Sequence, residues 1–190
     1  MKRYSAQHLV LTVCFLAVCG YAFAANQDAL SDYSAKSYYD TAPRLRDADT
    51  LVVGGVPVRL FGIDAPDANA QLAQAATDYL AQMLITQGGV TCSAAKIDSL
   101  TDGQACSKAA RSYDRITSLC RFNATQTSVG ATLVAHGFAV DYRLFSNGIY
   151  APDMVLAARG RRGLWRSNFS DMQALAVRRS ELPIRCRKQP

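Results

Sequence analysis

The stretch that decides the fold class runs from residue 50 to 67: Thr50-Leu51-Val52-Val53-Gly54-Gly55-Val56-Pro57-Val58-Arg59-Leu60-Phe61-Gly62-Ile63-Asp64-Ala65-Pro66-Asp67. Two runs rich in β-branched residues flank Gly54-Gly55, the kind of pair a tight hairpin turn demands. Pro57 lacks an amide proton and so marks either an edge position or a strand start. Downstream, Leu72, Ala76, Tyr79, Leu80, Met83 and Leu84 recur at spacings of three and four, which predicts a helix from about Ala70 to Thr86. Gln87-Gly88-Gly89 ends it. Val90 to Cys92 and Ile116 to Phe122 read as strands, with a loop or ragged hairpin from Ser93 to Ser112. Ser128 is placed to cap a short helix closed by Gly137, and Phe138 to Tyr142 reads as extended. Pro152 suits the first turn of a last helix bearing Met154, Val155 and Ala158. This order excludes alternating βαβ units and predicts an α+β fold, a small barrel with about three attached helices.

Upstream, Met1-Lys2-Arg3 is a short positive start, His8 to Cys19 is mostly apolar, and Ala22-Phe23-Ala24 offers small residues where a signal peptidase cuts. The apolar run holds roughly 12 residues against about 20 needed to span a bilayer. Residues 1–24 are therefore expected to be a cleaved signal peptide, which implies a secreted or periplasmic protein with no stable membrane anchor after cleavage. A retained anchor is the alternative, and bulky Val18 argues against a lipoprotein start at Cys19. Residues 25–45 are polar and read as a loosely ordered lead-in, residues 46–169 as the folded domain, and residues 170–190 as a C-terminal tail.

At 190 residues, 49% of them hydrophobic, the chain suits one domain with a real core. Loss of Lys2 and Arg3 leaves 19 basic against 15 acidic residues, a net +4 that suits a polyanionic partner without requiring one. Four cysteines remain outside the leader: Cys92, Cys106, Cys120 and Cys186. An even count in an exported chain suggests two disulfides with three possible connectivities. Cys92 with Cys120 is the preferred pair, because both end apolar runs that could be neighbouring strands; Cys106 would then tether Cys186. No C-x-x-C pair is present to support zinc.

Taken alone, the polar residues of these segments have ordinary uses. An Asp before a strand is usually a turn residue, and a strand Arg usually faces solvent. Strand alternation would put Arg59 on one face with Phe61 and Ile63, where a guanidinium needs an acidic or phosphate partner. Together, however, Asp47-Ala48-Asp49-Thr50, then Val58 to Asp67, then Ser112-Tyr113-Asp114-Arg115, and finally the Leu133 to Ala139 and Ala157 to Trp165 segments resemble, in order, the motifs of the staphylococcal nuclease (thermonuclease) family. The resemblance spans roughly Arg46 to Trp165. It implies a five-stranded OB-fold barrel with attached helices, a monomer, and calcium-dependent hydrolysis of DNA or RNA that is single-stranded or locally open, leaving 3′-phosphorylated products.

Carried over by position, the resemblance makes Asp49, Asp64 and the backbone carbonyl of Ala65 the calcium ligands, with Asp47 behind them. Hard oxygen donors of this kind suit calcium. It makes Arg59 and Arg115 the pair that grips the scissile phosphate and Asp67 the carboxylate that activates water. Tyr113 would bind a neighbouring phosphate. Tyr142, with Phe145 and Tyr150, is read either as a base-stacking surface or as barrel core. Two departures stand out. Asp67 replaces the family's Glu, shortening the reach by about 1.5 Å, and Asp114 replaces a Gly, adding negative charge near the expected phosphate. They favour a slow or altered nuclease, and they motivate the alternative of a catalytically silent binding module, envelope- or exopolysaccharide-associated. The Arg159-Gly160-Arg161-Arg162 cluster and Arg178-Arg179 read as aids to polyanion binding, with a solvated helix end the alternative and the more ordinary use of Arg161 and Arg162. His136 reads as a helix C-terminal cap.

Overall fold

Gly54 and Gly55 take φ of +56° and +81°, and the chain reverses through them so that Val53 pairs with Val56. This is the hairpin expected from the sequence. In the computed structural model, which describes residues 37–94, 111–112 and 114–180, the strands are β1 (Ser37–Asp40), β2 (Arg44–Asp47), β3 (Thr50–Val53), β4 (Val56–Leu60), β5 (Ile63–Asp64), β6 (Val90–Ala94), β7 (Arg111–Ser112), β8 (Arg115–Phe122) and β9 (Val140–Asp141). The main sheet runs β1-β6-β8-β4-β3-β2, with β7 paired to β8, and β5 and β9 form a separate pair. Pro57 sits in a central strand, but before its pairing with β8 begins at Val58, so its missing N–H breaks nothing on that side.

The sheet is curled, and one hydrogen bond shows how far. Asp40 Oδ2, at the end of β1, accepts from Gly54 N at 2.9 Å. Flat, those strands would lie roughly 15–19 Å apart, at about 4.8 Å per strand. The curl brings the first strand onto the β3–β4 turn. The segment read as loosely ordered thus contributes β1 and the start of β2. Its polar, aromatic composition hid the register: Ser37 to Asp40 pair with Ser93 to Val90 on β6. Cys92 and Cys120 face each other across β6 and β8 and form the preferred disulfide. Cys106, Cys186 and the segment read as a leader lie outside the described residues.

Six helices rather than about three accompany the strands among the described residues: α1 (Ala70–Thr86), α2 (Val129–Ala135), α3 (Arg143–Ser146), α4 (Ala151–Arg159), α5 (Leu164–Ser167) and α6 (Phe169–Ser180). None is long and apolar enough to cross a membrane. The three expected ones are α1, α2 and α4. Asn69 caps α1 by accepting from Gln71 N and Leu72 N, and Ser128 caps α2 by accepting from Ala131 N. Helices α3 and α5 are single turns, too short to show a period. Helix α6 falls in the stretch read as a tail, yet Met172, Leu175 and Ala176 are buried in an apolar cluster with Leu72, Ala76, Val140 and Trp165.

Gly62 sets up the site. Its φ is +69°, and a Cβ there would stand 2.9 Å from Ser146 Cβ, so only glycine fits the turn. The turn breaks the alternation assumed between Arg59 and Ile63. Residues 63 and 64 leave the main sheet to pair with Asp141 and Val140, which swings Asp64 back toward Arg59.

Candidate active cleft

A cleft of about 420 Å³ opens where β2, β4, β5 and β8 meet α3 and the end of α6, and Asp49, Arg59, Asp64, Ala65, Asp67, Arg115 and Tyr142 all line it. Seven of the eight site residues expected outside the cysteines therefore share one concavity. The eighth, Tyr113, lies outside the described residues.

Asp49 is held by its own turn. Asp47 Oδ1 accepts from Asp49 N at 3.0 Å, Thr50 Oγ1 donates to Asp49 Oδ1 at 3.1 Å, and Ala65 N donates to Asp49 Oδ2 at 3.0 Å. Burial pushes the Asp49 carboxyl up to about 7. Arg59 opposes that rise, Asp47 adds to it through charge and hydrogen bonding, and the Ala65 amide opposes it.

Arg59 clamps both buried carboxylates. Nη1 donates to the Asp49 carbonyl at 3.2 Å and contacts Asp49 Oδ2; Nη2 donates to Asp64 Oδ1 at 2.9 Å and to the Ile63 carbonyl at 3.1 Å. Three hydrogen bonds and an ion pair thus occupy its two terminal nitrogens. The fork that the resemblance assigns to phosphate is turned onto the protein. Arg115, half-buried on β8, donates to Thr50 Oγ1 at 2.9 Å. Asp67 is exposed at the rim of the cleft.

Arg179 is a member of the cleft that sequence reading gave only a general part in polyanion binding. Its Nε donates to Asp64 Oδ2 at 2.7 Å, and its guanidinium lies 4.6 Å from the Tyr142 ring centroid. Burial would lower its pKa, but the hydrogen bond and charge of Asp64 raise it above the usual value. The signal was present: Met172, Leu175, Ala176 and Arg179 follow the i, i+3, i+4, i+7 pattern, which puts the arginine on the apolar face of α6. Tyr142 and Phe145 line the cleft and meet edge to face at 4.7 Å, whereas Tyr150 is core.

Asp114 takes its charge elsewhere. It is exposed, 3.0 Å from Arg46 Nη1, and the Arg46 hydrogen bond holds its carboxyl below the usual range. His136 is the residue that ends α2, as expected.

The donor types suit a hard cation, since carboxylates of Asp47, Asp49, Asp64 and Asp67 reach the same cleft. Among the described residues no three His, Cys, Asp or Glu side chains are gathered closely enough to hold a metal by themselves. A cation there would draw on two carboxylates, a backbone carbonyl and water. No protein-family model matches the chain, and a search of curated proteins found no match. Fold and cleft together define an α+β protein with buried acidic residues clamped by arginine beneath a half-exposed rim.

Proposed function

We propose that the cleft is the active site of an exported, calcium-dependent nuclease that hydrolyses DNA or RNA phosphodiesters on an OB-fold barrel. The observation that carries this reading is convergence: Asp49, Arg59, Asp64, Asp67 and Arg115, spread over 67 positions of sequence, line a single cleft. Asp49, Asp64 and the Ala65 carbonyl would hold the cation, which supplies charge to polarise the phosphate. Arg59 fixes the two carboxylates relative to each other. Arg115 offers charge to the developing negative phosphate oxygens. Asp67 is the carboxylate available at the rim to orient or deprotonate water, from a side chain one methylene shorter than the family's Glu. The reading of export rests on the leader-like first 24 residues together with the disulfide.

A second reading has its own observation. Every carboxylate oxygen of Asp49 and Asp64 already accepts a hydrogen bond or ion pair from Thr50, Ala65, Arg59 or Arg179. A site so satisfied also fits a silent binding module. The deciding experiment incubates the full chain, disulfide intact, with single-stranded DNA in calcium or chelator, beside Asp67→Glu. Calcium-dependent cleavage by the natural chain is expected. Silence with rescue by Asp67→Glu means a scaffold that has drifted from catalysis, and silence in both establishes the binding module.

A further inference from the structure

The geometry points to Arg179 as an anion-binding residue of the cleft: a phosphate ligand for a nucleic-acid backbone, carried in on α6 and held in position by Asp64 and Tyr142. This rests on the nuclease reading for the identity of the anion.

The argument begins with donors. The two terminal nitrogens of Arg59 make three hydrogen bonds and an ion pair to Asp49, Ile63 and Asp64, so its fork is already turned onto the protein. Arg179 is bound differently. Nε alone meets Asp64, and among the described residues neither Nη1 nor Nη2 makes a hydrogen bond. Its side chain is 32% exposed, and it lines the same cleft as Arg115 and Asp67. The two terminal nitrogens of a guanidinium form the edge that binds phosphate oxygens in a fork.

Orientation is the second part. Ordering a long side chain at the moment of binding costs rotamer entropy. Here the Asp64 hydrogen bond at one end and the Tyr142 ring at 4.6 Å already restrict Arg179. Tyr142 then acts as a positioning residue, one face covered by the guanidinium. Arg178 is the natural contrast. It carries the same charge one residue earlier but is exposed and borders a separate small groove with Asn69, Asp171 and Leu175.

The test is fluorescence anisotropy of a short labelled oligothymidylate with the full chain, in chelator so that nothing is cut. Arg179→Gln is expected to weaken binding roughly 10-fold or more, the share of one charge-assisted fork. It is also expected to reduce the slope of log affinity against log salt by about 0.7. Arg178→Gln is expected to cost about 2-fold or less, as a distant screened charge. Arg179→Lys keeps the charge and the Asp64 pairing, which guards against misfolding, and should bind several-fold more weakly for want of the fork. Equal losses in Arg178→Gln and Arg179→Gln, or natural affinity in Arg179→Lys, overturn the proposal and leave the nuclease reading standing. If the natural chain neither binds the probe nor cleaves DNA with calcium, both fall.

Discussion

Arg59 shows how far a motif can be read and where the reading stops. Its place in one site with Asp49 and Asp64 was legible from the two strings Asp47 to Thr50 and Val58 to Asp67. Its partners were not, because they depend on the Gly62 turn, which reverses the face that strand alternation assigns. Arg59→Ala leaves two buried carboxylates without their main cation. Urea unfolding well above pH 7, where Asp49 is ionised, is expected to show a loss of about 3–5 kcal/mol. Adding Asp49→Asn to that variant should recover part of the loss, because the uncompensated charge is then removed; strict additivity in the double-mutant cycle would refute the clamp. The partner of Asp114 was invisible in sequence: Arg46, 68 positions away, pairs with it.

At the scale of elements, α1, α2 and α4 were readable from apolar period and caps, while α3 and α5 are single turns fixed by tertiary contacts. One contact between elements titrates. Tyr79 on α1 stacks on Phe138 with ring centroids 4.0 Å apart and its hydroxyl meets His136 Nδ1. Burial, followed by the charge of Arg162, lowers the His136 pKa. The unfolded chain, with an ordinary His pKa of about 6.5, then binds the proton more readily than the folded one. Stability from this contact is therefore present above about pH 6.5 and is lost as pH falls through the lowered folded value. Melting curves across that range should show a decline at acid pH that His136→Gln lacks; parallel profiles would count against it. The disulfide joins β6 and β8 over a sequence separation of 28. Replacing both cysteines by Ser is expected to cost about 3–4 kcal/mol in denaturant unfolding.

Across the whole molecule, the barrel-like α+β character was legible, and the extent of the folded unit was not. The domain read as ending at residue 169 continues through α6, whose composition of Arg, Ser, Gln and Asp masks a narrow apolar stripe. Met172, Leu175 and Ala176 fill space beside Trp165 and Val140. A chain ending at Asn168 is expected to be less stable by about 3–6 kcal/mol, from exposing two large apolar side chains and the surface beneath them. Thermal and urea unfolding of the shortened chain measure it, and an unchanged midpoint would show that α6 adds nothing.

Asp64 and Arg179 meet across 115 positions of sequence. A chain made from its N-terminus presents the hairpin, the carboxylates and Arg59 well before α6 exists. Until then Asp64 has one arginine instead of two. Chains halted or clipped before Arg179 share that state, so a single ion pair marks a chain that has reached and docked its sixth helix.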